Sequence, residues 1–111
     1  MKLKETKIEY KVLVQNRVVI AKAVYNALCS KGIPVWATKA EGVAVTKSEP
    51  FNINTGKKLA RARAEKAAYI KFRDYLKEQM HLKELILAEM QKALQKATKH
   101  IESQRKYIKK F

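Results

Sequence analysis

Apolar and polar residues alternate near the beginning of the chain. Ile8, Tyr10 and Val12 alternate with Lys7, Glu9 and Lys11. A repeat of two is typical of a β-strand that has one face on a core and the other in water. The pattern therefore predicts a half-buried strand in this segment.

The next segment, residues 17–31, fits two structures. Val18, Ala21 and Leu28 fall at helical spacing, Asn16 can cap a helix start, and Gly32 can end the helix. The alternative is a hairpin that turns near residues 15–16, because residues 18–20 are β-branched and favour a strand. The helix is the favoured interpretation.

Two short strands are predicted next, over residues 33–38 and 42–46. Gly42 can adopt the positive φ that a tight connection between them needs. A loop over residues 48–54 follows, and Phe51 is expected to anchor it by its ring.

After Gly56 the chain has neither glycine nor proline, and it is rich in alanine, leucine, lysine, glutamate and glutamine. These are strong helix formers, and Asn54 or Thr55 can cap the start. The sequence thus predicts one α+β domain. A small antiparallel sheet with one helix (order β-α-β-β) occupies residues 1–54, and a long helix or helix pair occupies residues 55–111.

The C-terminal half carries a heptad seam, an apolar stripe with steps of four and three residues. Its positions are Met90, Leu94, Ala97, Ile101, Gln104, Ile108 and Phe111. Such a seam is typical of a coiled coil and predicts a homo-oligomer through residues 84–111. The stripe changes face near residues 80–84, so the half is either one helix or two helices that meet there. One continuous helix is favoured.

The charge is strongly unbalanced. The chain has 25 Lys and Arg against 10 Asp and Glu, a formal charge of +15. A field of this sign attracts polyanions and is typical of nucleic-acid-binding domains. A solvated lysine-rich surface without a ligand is the alternative.

No familiar catalytic motif occurs in the chain, which has neither a phosphate-binding loop nor a paired-cysteine site. His81 and His100 would stand about 28 Å apart on one helix, too far apart to share a metal ion. Cys29 has no partner for an internal disulfide. We therefore expect a protein that is not an enzyme and needs no metal or cofactor.

Four cations gather at the predicted start of the long helix: Lys57, Lys58, Arg61 and Arg63. Exposed backbone N–H groups and the positive end of a helix favour a phosphate there. A nucleotide is the alternative ligand, with Phe51 stacking on its base and Asn54, Arg61 and Arg63 holding its phosphate. An ordinary surface helix is a further alternative.

Residues 57–64 resemble the last helix of the double-stranded RNA-binding domain, in which lysines spaced this way lie across backbone phosphates. The resemblance implies phosphate contacts by the four cations. That domain has three strands between its helices, whereas residues 33–54 have room for two.

Residues 42–66 resemble small uncharacterised proteins of Gram-positive phages and prophages. In those, a strand is followed by a short Phe-containing segment, a glycine and an alanine-rich helix. The resemblance implies a phage protein in the host cytoplasm, where small proteins bind DNA or block host defences. No secretory signal or membrane span is evident, which also predicts a cytoplasmic location.

A second basic feature is a stripe of lysines along one face of the C-terminal helix. Its members are Lys92, Lys96, Lys99, Lys106 and Lys110. Such a stripe can follow a phosphate backbone. The alternatives are the solvated flank of a coiled coil and, less favoured, an acidic membrane surface. Trp36 could stack on a base if it is exposed, although core packing is the commoner role.

The sequence therefore predicts a small basic accessory protein of phage type that binds DNA or RNA through phosphate contacts. One alternative is an anti-defence protein that sequesters a nucleotide signal or blocks a host protein. The other is a structural protein that assembles through its helix.

Overall fold

The computed structural model describes residues 1–46 and 52–111. Three strands and one helix follow one another: β1 (Lys2–Leu13), β2 (Val18–Leu28), β3 (Pro34–Val45) and α1 (Ile53–Ile108). The strands form one antiparallel sheet in the order β1-β2-β3. The predicted α+β class is confirmed.

Two compact units divide the described chain, Met1–Tyr75 and Leu76–Phe111. The first contains the sheet and the beginning of α1. The second contains the remainder of α1 and the last residues. No helix in the described part of the chain has an apolar stretch long enough to cross a membrane.

The favoured helix over residues 17–31 is wrong, and the hairpin alternative is correct. Residues 14–17 form the turn, in which the Arg17 N–H donates to the Val14 carbonyl at 3.2 Å and Arg17 has a φ of 54°. Every second residue of β2 is buried against the helix: Val19, Ala21, Ala23, Tyr25 and Ala27. Some of these positions, such as Ala21 and Tyr25, fit helical spacing as well as a repeat of two. Alanine is also compatible with both structures, so the pattern does not distinguish them.

The two short strands predicted over residues 33–46 are one continuous strand, β3. Gly42 lies within it, opposite Ala21, and does not have a positive φ. The expectation that Gly42 forms a tight connection is therefore wrong. The observed order of elements before the long helix is therefore β-β-β, and the predicted order β-α-β-β is wrong in its details.

β1 begins at Lys2, earlier than the alternation indicates, and its register shifts between Glu5 and Lys7. The Thr6 hydroxyl donates to the Val24 carbonyl across this bulge at 3.1 Å. A bulge inserts one residue and changes which face later side chains occupy. Leu3 therefore faces the helix before the bulge, and even-numbered residues from Ile8 onward face it afterwards.

The helix packs on the sheet through a stripe of small residues spaced by four. Its buried positions are Gly56, Ala60, Ala64, Ala68 and Phe72. The facing side of the sheet is also rich in small residues, among them Ala21, Gly42 and Ala44. Val19 is the largest side chain that is fully buried. The core is accordingly thin and brings the two backbones close together.

Asn52 caps the helix, because its side-chain Oδ1 accepts the Thr55 N–H at 3.1 Å. The predicted caps, Asn54 and Thr55, lie inside the first turn instead. Gly56 is buried and donates its N–H to the Asn52 carbonyl at 2.9 Å. It is therefore a packing residue of the helix, not the residue before its start. The loop predicted over residues 48–54 lies mostly outside the described residues, and so does Phe51.

α1 continues without interruption through residues 80–84 and ends at Ile108. Of the two alternatives for the C-terminal half, the single helix is correct and the helix pair is wrong.

The close contact at Gly42 gives a direct test of this packing. A Cβ at Gly42 would overlap the Ala60 carbonyl oxygen and the Ala64 amide nitrogen, both of which are backbone atoms. Gly42→Ala must therefore push the helix off the sheet, and we expect the free energy of unfolding to fall by about 3 kcal/mol or more. Urea denaturation followed by circular dichroism measures it.

Gly32→Ala is the matched control. Gly32 has a φ of 77°, and a methyl group added there would have no atom within 4 Å, so only backbone strain of about 1 kcal/mol is expected. Equal losses in the two variants would contradict the proposed close contact.

Candidate nucleic-acid interface

Arg61 is held by an ion pair with Glu5 of β1. Its Nε and Nη2 atoms lie 3.2 and 3.1 Å from the same carboxylate oxygen. The Glu5 side chain is 21% exposed and the Arg61 side chain is 54% exposed. The hydrogen bond to Glu5 raises the pKa of Arg61 above its usual value. Arg61 thus joins the helix to β1.

The buried hydroxyl of Tyr25 lies near this pair. Burial raises the pKa of Tyr25, and the Glu5 and Glu65 carboxylates raise it further. The hydroxyl has no hydrogen-bond partner within residues 1–46 and 52–111. It therefore stays protonated at neutral pH and adds no charge to the site.

Arg63 points to the other edge of the sheet. Its Nη1 donates to the Val43 carbonyl at 2.6 Å, and Lys71 donates in the same way to the Lys39 carbonyl at 2.7 Å. Both acceptors belong to β3, which is an edge strand. These two cations therefore bind protein backbone.

Lys57 lies over β1, with its Nζ 5.4 Å from the centre of the Tyr10 ring. Lys58 is exposed. Lys57 and Arg61 are one turn apart on the β1 side of the helix, and Arg63 contacts β3. The four cations predicted at the helix start therefore do not converge on a single point.

The predicted nucleotide site is similarly dispersed in the described chain. Asn54 is exposed in the first helical turn, and Arg61 and Arg63 contact opposite edges of the sheet. Nothing in this geometry brings the three side chains together.

Trp36 of β3 packs against aromatic rings of the helix. Its ring stacks on Tyr75 at 4.9 Å and on Phe72 at 5.9 Å between centroids. These contacts account for the tryptophan through packing, the commoner of the two roles that the sequence leaves open.

The lysine stripe lies in the second unit and is exposed throughout: Lys92, Lys96, Lys99, Lys106 and Lys110. None of these side chains forms an ion pair with another described residue. At about 100° per residue they centre on the side of the helix opposite Met90 and Leu94, and the stripe is about 27 Å long. It is an extended row of free positive charge.

The apolar face of the same unit is also uncovered. Met90 is 63% exposed, Leu94 68% and Ile108 66%. A shallow groove of about 520 Å³ runs along it, lined by Leu87, Met90, Gln91, Ala93, Leu94 and Ala97. The unit therefore has one apolar face and one basic face.

One basic hollow was not predicted from the sequence. It has a volume of about 420 Å³, lies on the sheet, and is lined by Lys7, Glu9, Lys22, Ala23, Val24, Lys39, Ala40, Glu41 and Lys71. The sequence signal for this hollow is the alternation of lysines along the strands. The helix predicted over residues 17–31 placed Lys22 in a different element from the other lysines, so the hollow was not expected. Two of its lysines pair with glutamates, at 3.0 Å for Lys7–Glu9 and 3.9 Å for Lys22–Glu41.

No three His, Cys, Asp or Glu side chains among the described residues lie close enough together to hold a metal ion. Cys29 lies in the turn after β2, where backbone N–H groups of Lys31 and Ile33 lower the pKa of its thiol. A lone cysteine of this kind assigns no chemistry to the site.

The chain matches no protein-family model, no curated protein and no solved structure. The functional argument therefore rests on the residues and their geometry.

The contribution of Arg61 can be measured by a double-mutant cycle with Glu5→Gln and Arg61→Gln. Both groups are partly solvated, so we expect a small favourable coupling free energy that falls at high salt. Chemical denaturation of the four proteins measures it. The matched control is Arg73 with Asp74, a pair whose side chains are 59% and 61% exposed, for which we expect no coupling. Equal coupling in the two cycles would show that Arg61 does not join the helix to the sheet.

Proposed function

We propose that the protein is a non-enzymatic nucleic-acid-binding accessory protein that contacts backbone phosphates through the lysine stripe. The observation that carries the proposal is the exposure of five lysines on one helical face with no ion-pair partner among the described residues. An extended row of cations releases counterions from a polyanion, which is the main source of affinity in binding of this kind. The phage setting rests on the local resemblance of residues 42–66.

The stripe is a better candidate than the cations at the helix start. Arg61 and Arg63 already bind a carboxylate and a carbonyl, and Lys57 lies over an aromatic ring. A phosphate would have to replace these contacts. Among the described residues the stripe lysines have no such contacts to lose, so their charge is available to a ligand.

The charge balance of the second unit supports the same choice. Residues 76–111 contain nine Lys and Arg and four Glu. Three of the acids lie before Lys92, and Glu102 is the only acid within the stripe itself. Within this unit, the positive charge is therefore most concentrated along residues 92–110.

The salt dependence of affinity tests the stripe. A variant with Lys92, Lys96, Lys99, Lys106 and Lys110 all changed to Gln should bind a DNA duplex more weakly. The slope of log affinity against log salt should become shallower by about 0.9 for each phosphate contact that is lost. Fluorescence anisotropy of a labelled duplex, titrated with protein at several salt concentrations, gives this slope.

The matched control removes five charges elsewhere, with Lys2, Lys4, Lys31, Lys39 and Lys66 changed to Gln. These lysines are also exposed, so a change in net charge alone would alter both variants equally. An equal change in slope would reject the stripe as the site. If the unaltered protein binds neither DNA nor RNA at about 50 mM salt, the proposed function itself is wrong.

The exposed apolar face favours a second candidate function, structural assembly through residues 84–111. A helix that leaves Met90 and Leu94 more than half exposed gains stability when a second copy covers this face, since apolar surface is then removed from water. Assembly and phosphate binding are compatible because they use opposite faces of the helix.

Substitution of the seam tests the assembly. With Leu94 and Ile101 both changed to Asn, we expect self-association through this face to weaken by at least about tenfold, because two buried apolar contacts are lost. Sedimentation velocity at micromolar concentration measures it. Lys96→Gln with Lys99→Gln, on the opposite face, is the control and should leave the association constant unchanged. A seam variant that associates as strongly as the control would contradict assembly through this face.

Nucleotide sequestration and the blocking of a host protein stay predictions. A rise in melting temperature with an added nucleotide would support the first of them.

A further inference from the structure

The two edges of the sheet differ in whether side chains of the helix bond to their backbone groups. β1 and β3 are the outer strands. An outer strand presents a row of unpaired backbone N–H and C=O groups, which can pair with another strand.

Two side chains of the helix bond to the β3 edge. Arg63 and Lys71 bond the carbonyls of Val43 and Lys39 at 2.6 and 2.7 Å. In an antiparallel ladder, alternate residues point their backbone groups to the neighbouring strand and away from it. Val43 and Lys39 are therefore outward residues of β3, and two of the groups that a further strand would need are already bonded.

The same alternation identifies the outward residues of β1. Val43 and Lys39 lie opposite Ile20 and Val24 of β2, which must then point their backbone groups toward β1. Their partners in β1 are Lys11 and Lys7. The residues between these, Ile8 and Tyr10, and also Val12, therefore point outward, and no hydrogen bond from the described helix reaches their backbone groups.

We propose that β1 pairs in an antiparallel manner with β1 of a second copy of this chain, with Tyr10 opposite Tyr10 on a twofold axis. The pairing joins two three-stranded sheets into one of six strands. It goes beyond the proposed nucleic-acid binding and does not depend on it.

The position of the axis follows from the bulge. The register of β1 shifts between Glu5 and Lys7, so the strand is regular over residues 7–13. Tyr10 is the midpoint of this segment. An axis on Ile8 would draw Glu5 and Thr6 into the ladder across the bulge, where side chains change face.

The charges of Glu9 and Lys11 favour the same register, with the axis on Tyr10. With the axis on Tyr10, Glu9 lies opposite Lys11 of the second copy, and Lys11 lies opposite its Glu9. A shift of the axis by one residue places Glu9 opposite Glu9 or Lys11 opposite Lys11. Opposite charges directly across a ladder stabilise it, and like charges destabilise it.

The apolar side chains are also complementary in this register. Ile8 lies opposite Val12 of the second copy, and Tyr10 lies opposite Tyr10. In one chain these three side chains pack only partly against the core. Pairing would cover their remaining exposed surface. Because the segment matches itself in both charge and apolarity, a second copy is the partner that it fits.

Oxidative cross-linking tests the register in the full-length chain. In a Cys29→Ser background, Tyr10→Cys places two thiols on the axis, with Cα atoms about 5.5 Å apart, within the range for a disulfide. We expect a covalent dimer on mild oxidation. Ile8→Cys, Glu9→Cys and Lys11→Cys in the same background are the controls and should stay largely monomeric. Stronger cross-linking at any of these three positions would overturn the register, and no cross-linking at any position would overturn the interface.

Charge exchange provides a test that does not need Tyr10. In the seam variant with Leu94→Asn and Ile101→Asn, Glu9→Lys should weaken dimer formation by about tenfold, since it places two pairs of lysines opposite each other. Adding Lys11→Glu should restore it. Sedimentation equilibrium measures both, and a double variant no stronger than Glu9→Lys alone would overturn the proposal. A seam variant that is monomeric at tens of micromolar would also overturn it and would leave β1 as an edge for another protein's extended segment. Nucleic-acid binding is measured separately, so its failure is distinguishable from a failure here.

Discussion

The structure depends on the close contact between the helix and the sheet at Gly42. No side chain lies between the two backbones at this point, and a methyl group would overlap Ala60 and Ala64. This contact explains the alanine-rich composition, because small residues are required on both surfaces. It also limits stability. Small side chains bury little apolar area, and each square ångström contributes only about 25 cal/mol. Contacts at the border of the interface between helix and sheet must therefore provide part of the remaining stability.

The cations at the beginning of the helix provide several of these border contacts. Arg61 pairs with Glu5 on one side, and Arg63 and Lys71 bond strand carbonyls on the other. A long side chain can extend past a row of alanines and bind the strand beyond it, which a shorter one could not do. Part of the large positive charge is thus a consequence of the thin core. The charge that requires a functional explanation is the part with no such contact, and within the described residues it includes all nine Lys and Arg of the second unit.

The sequence predicted the fold class, the first strand and the long helix because each has a clear repeat. It failed where alanine is frequent. In β2 the buried residues include Ala21, Ala23 and Ala27, and alanine is compatible with a helix as well as a strand. The prediction of a helix therefore depended on Asn16 as a possible cap and Gly32 as a possible end. Gly42 was interpreted as a turn residue for a similar reason, since close backbone contact and positive φ both require glycine. The partners of Arg61 and Arg63 are 56 and 20 residues away, and without the correct strand register no local pattern indicates them. Exposure of the lysine stripe could be predicted, because it needs only a helix.

The two proposed association surfaces have different physical origins, and this difference bears on how a weak phosphate site could bind firmly. Association through the apolar helix face would be driven by the removal of exposed side chains from water. Association through β1 would be driven by backbone pairing and charge complementarity. Both are isologous, so a chain that used both would form a closed tetramer or an open filament, whereas one that used either alone would form a dimer. A single row of lysines on a nucleic acid is strongly weakened by salt. Each additional copy brings another row to the same polyanion, and the later contacts form at a high effective concentration. The proposed assembly and the proposed phosphate binding would therefore be coupled through avidity, although no residue needs to take part in both.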